Sequence, residues 1–144
     1  MYEIYTSIEI EAKKEDLWNC LVDFHSYSAW NPFLRKIGIK NLRPHESFWL
    51  LVQAPASLPV IMKGMILSIE PQSLLVWRCH LIHPLLLTGI HKLELTETVP
   101  CHTLFVHTEQ FQGILPPLLW TMIKPRVYKG FESMNKALKQ KIEK

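Results

Sequence analysis

Two histidines and one glutamate have the types and spacing to do proton chemistry in this 144-residue chain. His107 and Glu109 are two positions apart in a segment with period-two alternation, on the side that otherwise carries apolar residues. His91 lies on the corresponding side of the alternating segment before it. Alternate side chains of a strand point to one face of a sheet. The three side chains are therefore predicted to share one largely apolar face.

The pairing of the two segments decides which of these groups meet. They are joined through a turn near Pro100, and we expect a register that places His91 opposite His107. In that register Glu109 lies opposite Gly89, and the imidazoles and the carboxylate are neighbours directly or diagonally.

Three interpretations of this cluster stay open. An isolated carboxylate in an apolar site is costly and protonates or acquires a partner, which an imidazole can provide. The cluster of His91, His107 and Glu109 is then a structural hydrogen-bonded link between two strands, a polar group that orients a ligand, or an acid–base pair for catalysis.

Common signatures of metal and cofactor sites are missing from the sequence. His107-x-Glu109 is half of the zinc-deaminase motif, but no Pro-Cys-x-x-Cys follows, and the seven histidines include no His-Glu-x-x-His. The five glycines form no GxGxxG, Walker A or GxSxG motif. We expect neither a metal nor a cofactor.

Composition indicates one soluble domain over residues 1–144. Hydrophobic residues make up 48% and charged residues 20%, and the net charge of +3 is too small and dispersed to favour nucleic acid. No apolar run has the length of a transmembrane helix, and the first residues lack the pattern of a signal peptide. Three cysteines without CxxC spacing are typical of free, buried thiols in a cytoplasmic protein.

The elements that position the cluster follow from hydrophobic periodicity. Period-two alternation predicts strands at Tyr2–Ile10, Leu34–Lys40, Ser47–Gln53, Val60–Ile69, Leu74–His80, Gly89–Glu97 and His102–Phe111. Helical spacing predicts helices over Glu11–Phe24, His25–Trp30 and Leu118–Glu143, the second ended by Asn31-Pro32. This order predicts an α+β fold, in which the last helix covers a seven-stranded antiparallel sheet.

The last helix combines an apolar stripe with a basic surface. The stripe consists of Trp120, Ile123, Val127, Phe131, Met134 and Leu138. Pro125 is expected to kink this helix or to separate a short segment from it. Residues 118–144 contain seven basic and two acidic residues, which we interpret as a solvated face, with a peripheral contact to anionic lipid or RNA as the alternative.

An ordered set of segments resembles the START-like SRPBCC superfamily, which includes the polyketide cyclase/dehydrase-like proteins, and in particular its small bacterial members. The segments are Trp30–Phe33, Ile69–Pro71, Leu75–Arg78, Gly89–Leu93, Thr103–Gly113 and Gly130–Lys139. The resemblance implies a helix-grip fold, in which a curved sheet grips the long helix around a hydrophobic cavity. Members bind lipids, sterols, quinones or polyketides, and a minority catalyse reactions on them.

Combined with strand parity, the resemblance suggests which residues line such a cavity. Predicted apolar wall residues are Trp30, Phe48, Leu50, Met62, Trp77, Leu93, Phe105, Ile123 and Val127. Trp30 is either a packing anchor or part of the ligand entrance. His91, His107 and Glu109 are expected to orient the ligand.

The favoured function is binding or transport of a small hydrophobic ligand, lipid-, quinone- or polyketide-like. One alternative is a cyclase-, dehydratase- or isomerase-like enzyme that uses the same cluster as acid and base. Another is a protein-interaction module or homodimer that uses the outer sheet face, where parity places apolar residues. These are Trp49, Leu51, Leu74, Val76, Leu104 and Val106.

Overall fold

The computed structural model describes residues 2–143 and contains the expected seven-stranded antiparallel sheet, in the order β1-β7-β6-β5-β4-β3-β2. The strands are β1 Tyr2–Ile10, β2 Leu34–Gly38, β3 Ser47–Val52, β4 Val60–Glu70, β5 Leu74–His80, β6 Thr88–Val99 and β7 His102–Gln112. Consecutive strands pair from β2 to β7, and β1 closes the order beside β7. The α+β helix-grip fold predicted from the sequence is confirmed.

The first two helices are shorter, and the last helix is longer, than predicted. They are α1 Lys14–Val22, α2 Tyr27–Trp30 and α3 Leu115–Ile142, with a 3₁₀ turn at Phe24–Ser26 between the first two. The end of α2 at Trp30 is as expected, because Asn31 Oδ1 accepts the backbone N–H groups of Phe33 and Leu34 and turns the chain into β2. No helix within residues 2–143 is long and apolar enough to cross a membrane.

The predicted break in the last helix lies in a different place. Leu119, with φ −126° and ψ 17°, is the non-helical residue inside α3, whereas Pro125 lies within the continuing helix. Pro125 is exposed, so water can satisfy the backbone carbonyl that lacks its N–H partner. The backbone N–H of Leu115 is held by the carbonyl of Leu86, so the start of α3 is tied to the β5–β6 loop and the helix changes direction afterwards.

The apolar stripe of α3 is fully buried only in its second half. Phe131 and Leu138 are 0% exposed, whereas Ile123 and Val127 are half-buried. Gly130 lies where the buried half begins, and a Cβ on it would overlap the ring of Phe33. The helix therefore contacts the sheet closely from Gly130 onward and stands away from it earlier.

The hairpin register differs from the predicted one by two residues. His91 is paired with Glu109, and His107 is opposite Leu93. The turn is at Pro100–Cys101 with a bulge on the β6 side, which spacing alone does not reveal. A shift of two keeps every side chain on its face, so the predicted cluster survives with different direct neighbours.

The six apolar residues predicted on the outer sheet face are less exposed than expected. Trp49 is 40% exposed, but Val76 is only 7% exposed. Half-buried are Leu51, Leu74, Leu104 and Val106. The cross-strand partner of Val76 is Lys92, and long charged side chains cover apolar neighbours with their aliphatic stems.

The three cysteines are free, but the expectation that all are buried is wrong. Cys79 is buried on β5, Cys20 is half-buried on α1, and Cys101 is exposed in the β6–β7 turn. Cys101 adopts a positive φ of 63° there, which places it on the tip of the hairpin.

Substituting Gly130→Ala tests the close contact between α3 and Phe33, the residue before β2. The added methyl group collides with Phe33, so we expect the unfolding free energy to fall by about 1–3 kcal/mol despite the better helix propensity of alanine. Chemical denaturation measures this change. The exposed Lys136→Ala serves as the control on the same helix, and combining Gly130→Ala with Phe33→Leu should recover part of the loss. An equal loss in both backgrounds would contradict the contact.

Candidate functional site

A cavity of about 550 Å³ lies between the sheet and the first half of α3. Its buried end contains side chains less than about a tenth exposed, including Leu34, Leu50, His91 and Glu109. Its other end opens between the β3–β4 loop and α3, where Leu58 and Met122 are exposed. The cavity exists because the sheet curves while the first half of the helix stands off.

The structure brings half of the predicted site residues to the cavity wall. These are Leu50, Met62, His91, Glu109, Ile123 and Val127. The prediction missed wall residues from β2, the β3–β4 and β5–β6 loops, and the exposed side of α3. They include Phe33, Leu34, Ser57, Leu58, Leu81, Leu87, Met122 and Arg126. Period-two parity applies to strands alone, so it carries no information about loop residues.

The remaining predicted residues pack elsewhere. Those that do not line the cavity are Trp30, Phe48, Trp77, Leu93, Phe105 and His107. Trp30 packs edge-on against Tyr27, and Phe48 packs edge-on against Trp77. Leu93, Phe105 and His107 are at most 1% exposed and lie in the core, away from the cavity. Parity assigned their face correctly but not their position along the strand.

A chain of buried polar side chains leads from the cavity into the core. Glu109 Oε1 lies 3.5 Å from His91 Nδ1. His91 Nε2 lies 2.7 Å from His107 Nε2, and His107 Nδ1 lies 2.8 Å from Asn135 Oδ1. The Asn135 amide nitrogen donates to Thr6 Oγ1 at 3.0 Å. We refer to these five residues as the polar chain.

The polar chain fixes the position of its hydrogens. Thr6 uses its single hydroxyl hydrogen on the backbone carbonyl of His107, so its oxygen accepts from the Asn135 amide. Asn135 Oδ1 therefore faces His107 and accepts from Nδ1–H. Neutral His107 then accepts at Nε2, which requires His91 to donate from its own Nε2. In neutral His91 the remaining lone pair, on Nδ1, faces Glu109.

Burial keeps the inner histidine neutral. Burial above all, and next the neighbouring His91, lower the pKa of His107 well below its ordinary value, although the bond to Asn135 acts in the opposite direction. The ring of His107 stacks on Phe131 with centroids 3.8 Å apart, and His91 stacks on Trp77 at 4.5 Å. Both imidazoles are thus held in one orientation.

The carboxylate of Glu109 occupies space left by Gly89, which has no side chain. A Cβ on Gly89 would overlap Glu109 Oε2, so the absent side chain makes room for the carboxylate. The Cys79 thiol donates to the same oxygen at 3.8 Å. Burial, and then the charge of Glu109, raise the pKa of the Cys79 thiol well above its ordinary value, so the thiol keeps its proton. Oε1 points toward His91 at a distance longer than a normal hydrogen bond.

Other depressions lie away from this chemistry. A larger surface cleft of about 750 Å³ is on the outer sheet face, bordered by Trp49, Lys63 and Arg78. A crevice of about 80 Å³ reaches Thr6 and Asn135 from the far side of α3. Within residues 2–143, no group of three or more His, Cys, Asp or Glu side chains is arranged to hold a metal ion.

Comparisons with known proteins agree with this architecture. A family model described as polyketide cyclase / dehydrase and lipid transport matches residues 1–143. A search of curated protein sequences finds no significant match.

Solved structures resemble the whole chain at low identity. An aromatase/cyclase from a Streptomyces species has a TM-score of 0.80 and 14% identity, over 98% of this chain and 93% of that one. A Mesorhizobium loti protein has a TM-score of 0.76 and 19% identity, over 98% and 96%. A START superfamily protein from Mycobacterium smegmatis has a TM-score of 0.74 and 18% identity, over 99% and 98%. At such identities the likeness concerns the fold.

The hydrogen positions in the polar chain can be observed by ¹⁵N NMR of the imidazoles. We expect protonated Nδ1 in His107 and protonated Nε2 in His91. The Asn135→Leu variant removes the acceptor of His107 Nδ1–H, so both tautomers should reverse, with a stability loss of about 1–3 kcal/mol. The exposed Asn19→Leu is the control. A wild-type His107 that carries its proton on Nε2 would contradict the assignment.

The lowered pKa of His107 predicts a pH dependence of stability. The unfolded chain takes up a proton at His107 below about pH 6.5, whereas the folded chain does not. The unfolding free energy should therefore decrease as the pH falls below that value, by up to about 1.4 kcal/mol per pH unit for this group.

Denaturation curves between pH 7 and 5 measure this slope. His107→Gln should flatten it, whereas His25→Gln, which removes an exposed histidine, should leave it as in the wild type. Equal slopes in all three proteins would refute a neutral buried His107.

Proposed function

The chain belongs to the polyketide cyclase/dehydrase and lipid transport family, and on this basis we propose that it binds a small, largely apolar molecule that carries a hydroxyl group. The observation that supports this proposal best is the cavity itself, apolar along its walls with Glu109 and His91 at its buried end. Apolar burial would supply most of the affinity, and the two polar groups would set the orientation.

The size of the cavity favours a ligand of moderate size. A volume of about 550 Å³ lies within the usual range of small-molecule sites, about 300–1,000 Å³. Leu50, Met62 and Val127 contribute apolar wall without polar atoms that require a partner. A negatively charged head group would be disfavoured at the buried end, because it would lie against the Glu109 carboxylate.

The polar atoms at the buried end favour a hydrogen-bond donor on the ligand. Nδ1 of a neutral His91 and Oε1 of a Glu109 carboxylate are both acceptors and lie 3.5 Å apart, so a hydroxyl that donates between them would supply the partner that a buried carboxylate needs. The single hydrogen of an alcohol or phenol, or of one hydroxyl of a hydroquinone, is donated to one of these acceptors or shared between them. A quinone offers only carbonyl acceptors and matches them less well.

Acid–base catalysis is the second candidate. The observation in its favour is the fixed orientation of His91, which presents a basic nitrogen beside a carboxylate at the cavity wall. A hydroxyl bound between the two groups could lose its proton to either. The outer-face interaction module has less support, since Trp49 alone of its six predicted residues is exposed and Val76 is buried.

A matched pair of probes tests the proposed recognition. We expect 2-naphthol to bind more tightly than 2-methoxynaphthalene, because the ether leaves both acceptors without a donor. The difference should be about 5- to 100-fold in Kd, from an unsatisfied-group cost of about 1–3 kcal/mol. In Glu109→Met the preference should shrink to a few-fold. Isothermal titration calorimetry or probe fluorescence measures both constants.

Two further variants control this experiment. Glu97→Met removes an exposed glutamate from the same hairpin and should keep the preference. Leu50→Trp fills the cavity and should abolish binding of both probes. If both probes bind Leu50→Trp as they bind the wild type, or if the wild type shows no preference for the hydroxyl, the proposal is wrong.

A further inference from the structure

The opening of the cavity is surrounded by three segments, two of which contact the third. They are the β3–β4 loop 53–59, the β5–β6 loop 81–87, and residues 113–130, which include the first half of α3. Arg126 reaches Ser57 Oγ at 3.5 Å, and the backbone N–H of Ile114 donates to the carbonyl of Leu85 at 2.9 Å. We call these three segments the mouth rim.

The mouth rim carries most of the large apolar side chains that face solvent. Leu58 is 87% exposed, Ile82 83% and Leu118 71%. Further exposed members are Leu85, Ile114, Leu119 and Met122, whereas the exposed Tyr128 borders the crevice on the far side of α3. Exposed apolar clusters of this kind mark contact with a partner or a membrane. Leu58 and Met122 also line the cavity, so this surface adjoins its apolar wall.

The charged side chains of the mouth rim are all basic. Its three segments contain no Asp or Glu, and Lys124, Arg126 and Lys129 are all exposed. Basic side chains beside exposed apolar ones are typical of surfaces that bind anionic lipid. A second copy docked rim to rim would bring these cations against their own counterparts, which disfavours a homodimer here.

Ile82 is held in an unfavourable backbone conformation. Its φ is 65°, and the N–H of His83 donates to the carbonyl of Leu81 at 2.7 Å across a tight turn. A β-branched residue rarely adopts positive φ, where Asn and Asp are far more common. Burial does not compensate for this strain, because the side chain is exposed. A strained apolar residue in water indicates a role outside the isolated fold.

We propose that the mouth rim docks on the surface of a bilayer that contains anionic phospholipid. Ile82, Leu118 and Leu58 enter the boundary between headgroups and acyl chains, and Lys124, Arg126 and Lys129 contact the phosphates. The cavity then opens toward the membrane, and an apolar ligand passes between them without crossing water. This extends the proposed ligand binding, but docking needs no bound ligand and is measured separately.

Vesicle co-sedimentation tests the docking. The probes are phosphatidylcholine vesicles with and without 30% phosphatidylglycerol. We expect binding to the anionic vesicles at least about tenfold tighter than to the neutral ones, and weaker in high salt. Leu118→Asp should weaken binding about tenfold or more. The control Val99→Asp introduces the same charge at an exposed apolar position beside the β6–β7 turn, outside the mouth rim. This variant should bind as the wild type.

Ile82→Asn separates docking from folding. Asparagine tolerates positive φ, so this variant should be at least as stable as the wild type and yet bind anionic vesicles about tenfold more weakly. Lys124→Glu should weaken binding, whereas Lys136→Glu, on the second half of α3, should have a much smaller effect. Binding of 2-naphthol without vesicles should be unchanged in Leu118→Asp and Ile82→Asn.

The proposal is overturned if the wild type does not bind anionic vesicles. It is also overturned if Val99→Asp weakens binding as much as Leu118→Asp, or if neither rim variant weakens it. A concentration-dependent dimer that Leu118→Asp dissociates, without vesicle binding, would assign the rim to a second copy instead. If the wild type binds anionic vesicles but does not bind 2-naphthol, the ligand proposal is refuted and the docking proposal stands.

Discussion

The need to satisfy buried polar groups constrains the centre of this molecule. Two imidazoles and an amide lie in an apolar core, and each unpaired nitrogen or oxygen there would cost about 1–3 kcal/mol. Asn135 and Thr6 satisfy the inner end, so the hydrogen positions propagate outward through His107 to His91. At the outer end the Cys79 thiol donates to Oε2 of Glu109, whereas His91 Nδ1 and Glu109 Oε1 meet at the buried end of the cavity. The same chain of bonds that links the sheet to α3 thus presents polar atoms at the cavity, where we propose that a ligand binds.

The second feature of the architecture is the division of α3 into two halves with different roles. From Gly130 onward the helix lies close to the sheet, and Phe131 covers His107. Before Gly130 the helix stands away, and its half-buried residues become the cavity wall. The break at Leu119 and the tie between Leu115 and the β5–β6 loop hold the start of the helix at the mouth. The proposed binding site and the proposed docking surface follow from one geometry, because the opening of the cavity also leaves apolar residues uncovered.

The sequence predicts which face of the sheet a residue lies on better than it predicts the position of that residue along the strand. Hydrophobic periodicity identifies seven strands and assigns His91, His107 and Glu109 to the inner face, since an error of two in register leaves a face unchanged. It does not locate the bulge beside Val99, and so it pairs His91 with the wrong residue. It also does not separate Leu50, which lines the cavity, from Phe105, which packs in the core, because that depends on where α3 approaches the sheet. Loop residues such as Leu58 have no periodicity, and their position at the mouth emerges only from the assembled structure.

The most direct test of the central claim is a crystal structure with 6-bromo-2-naphthol, whose bromine can be located by anomalous scattering. The account predicts bromine density between the sheet and the first half of α3, with the naphthol oxygen within hydrogen-bond distance of Glu109 or His91. Density only in the outer-face cleft beside Trp49, or a ligand in the cavity whose oxygen points to the mouth, would contradict it.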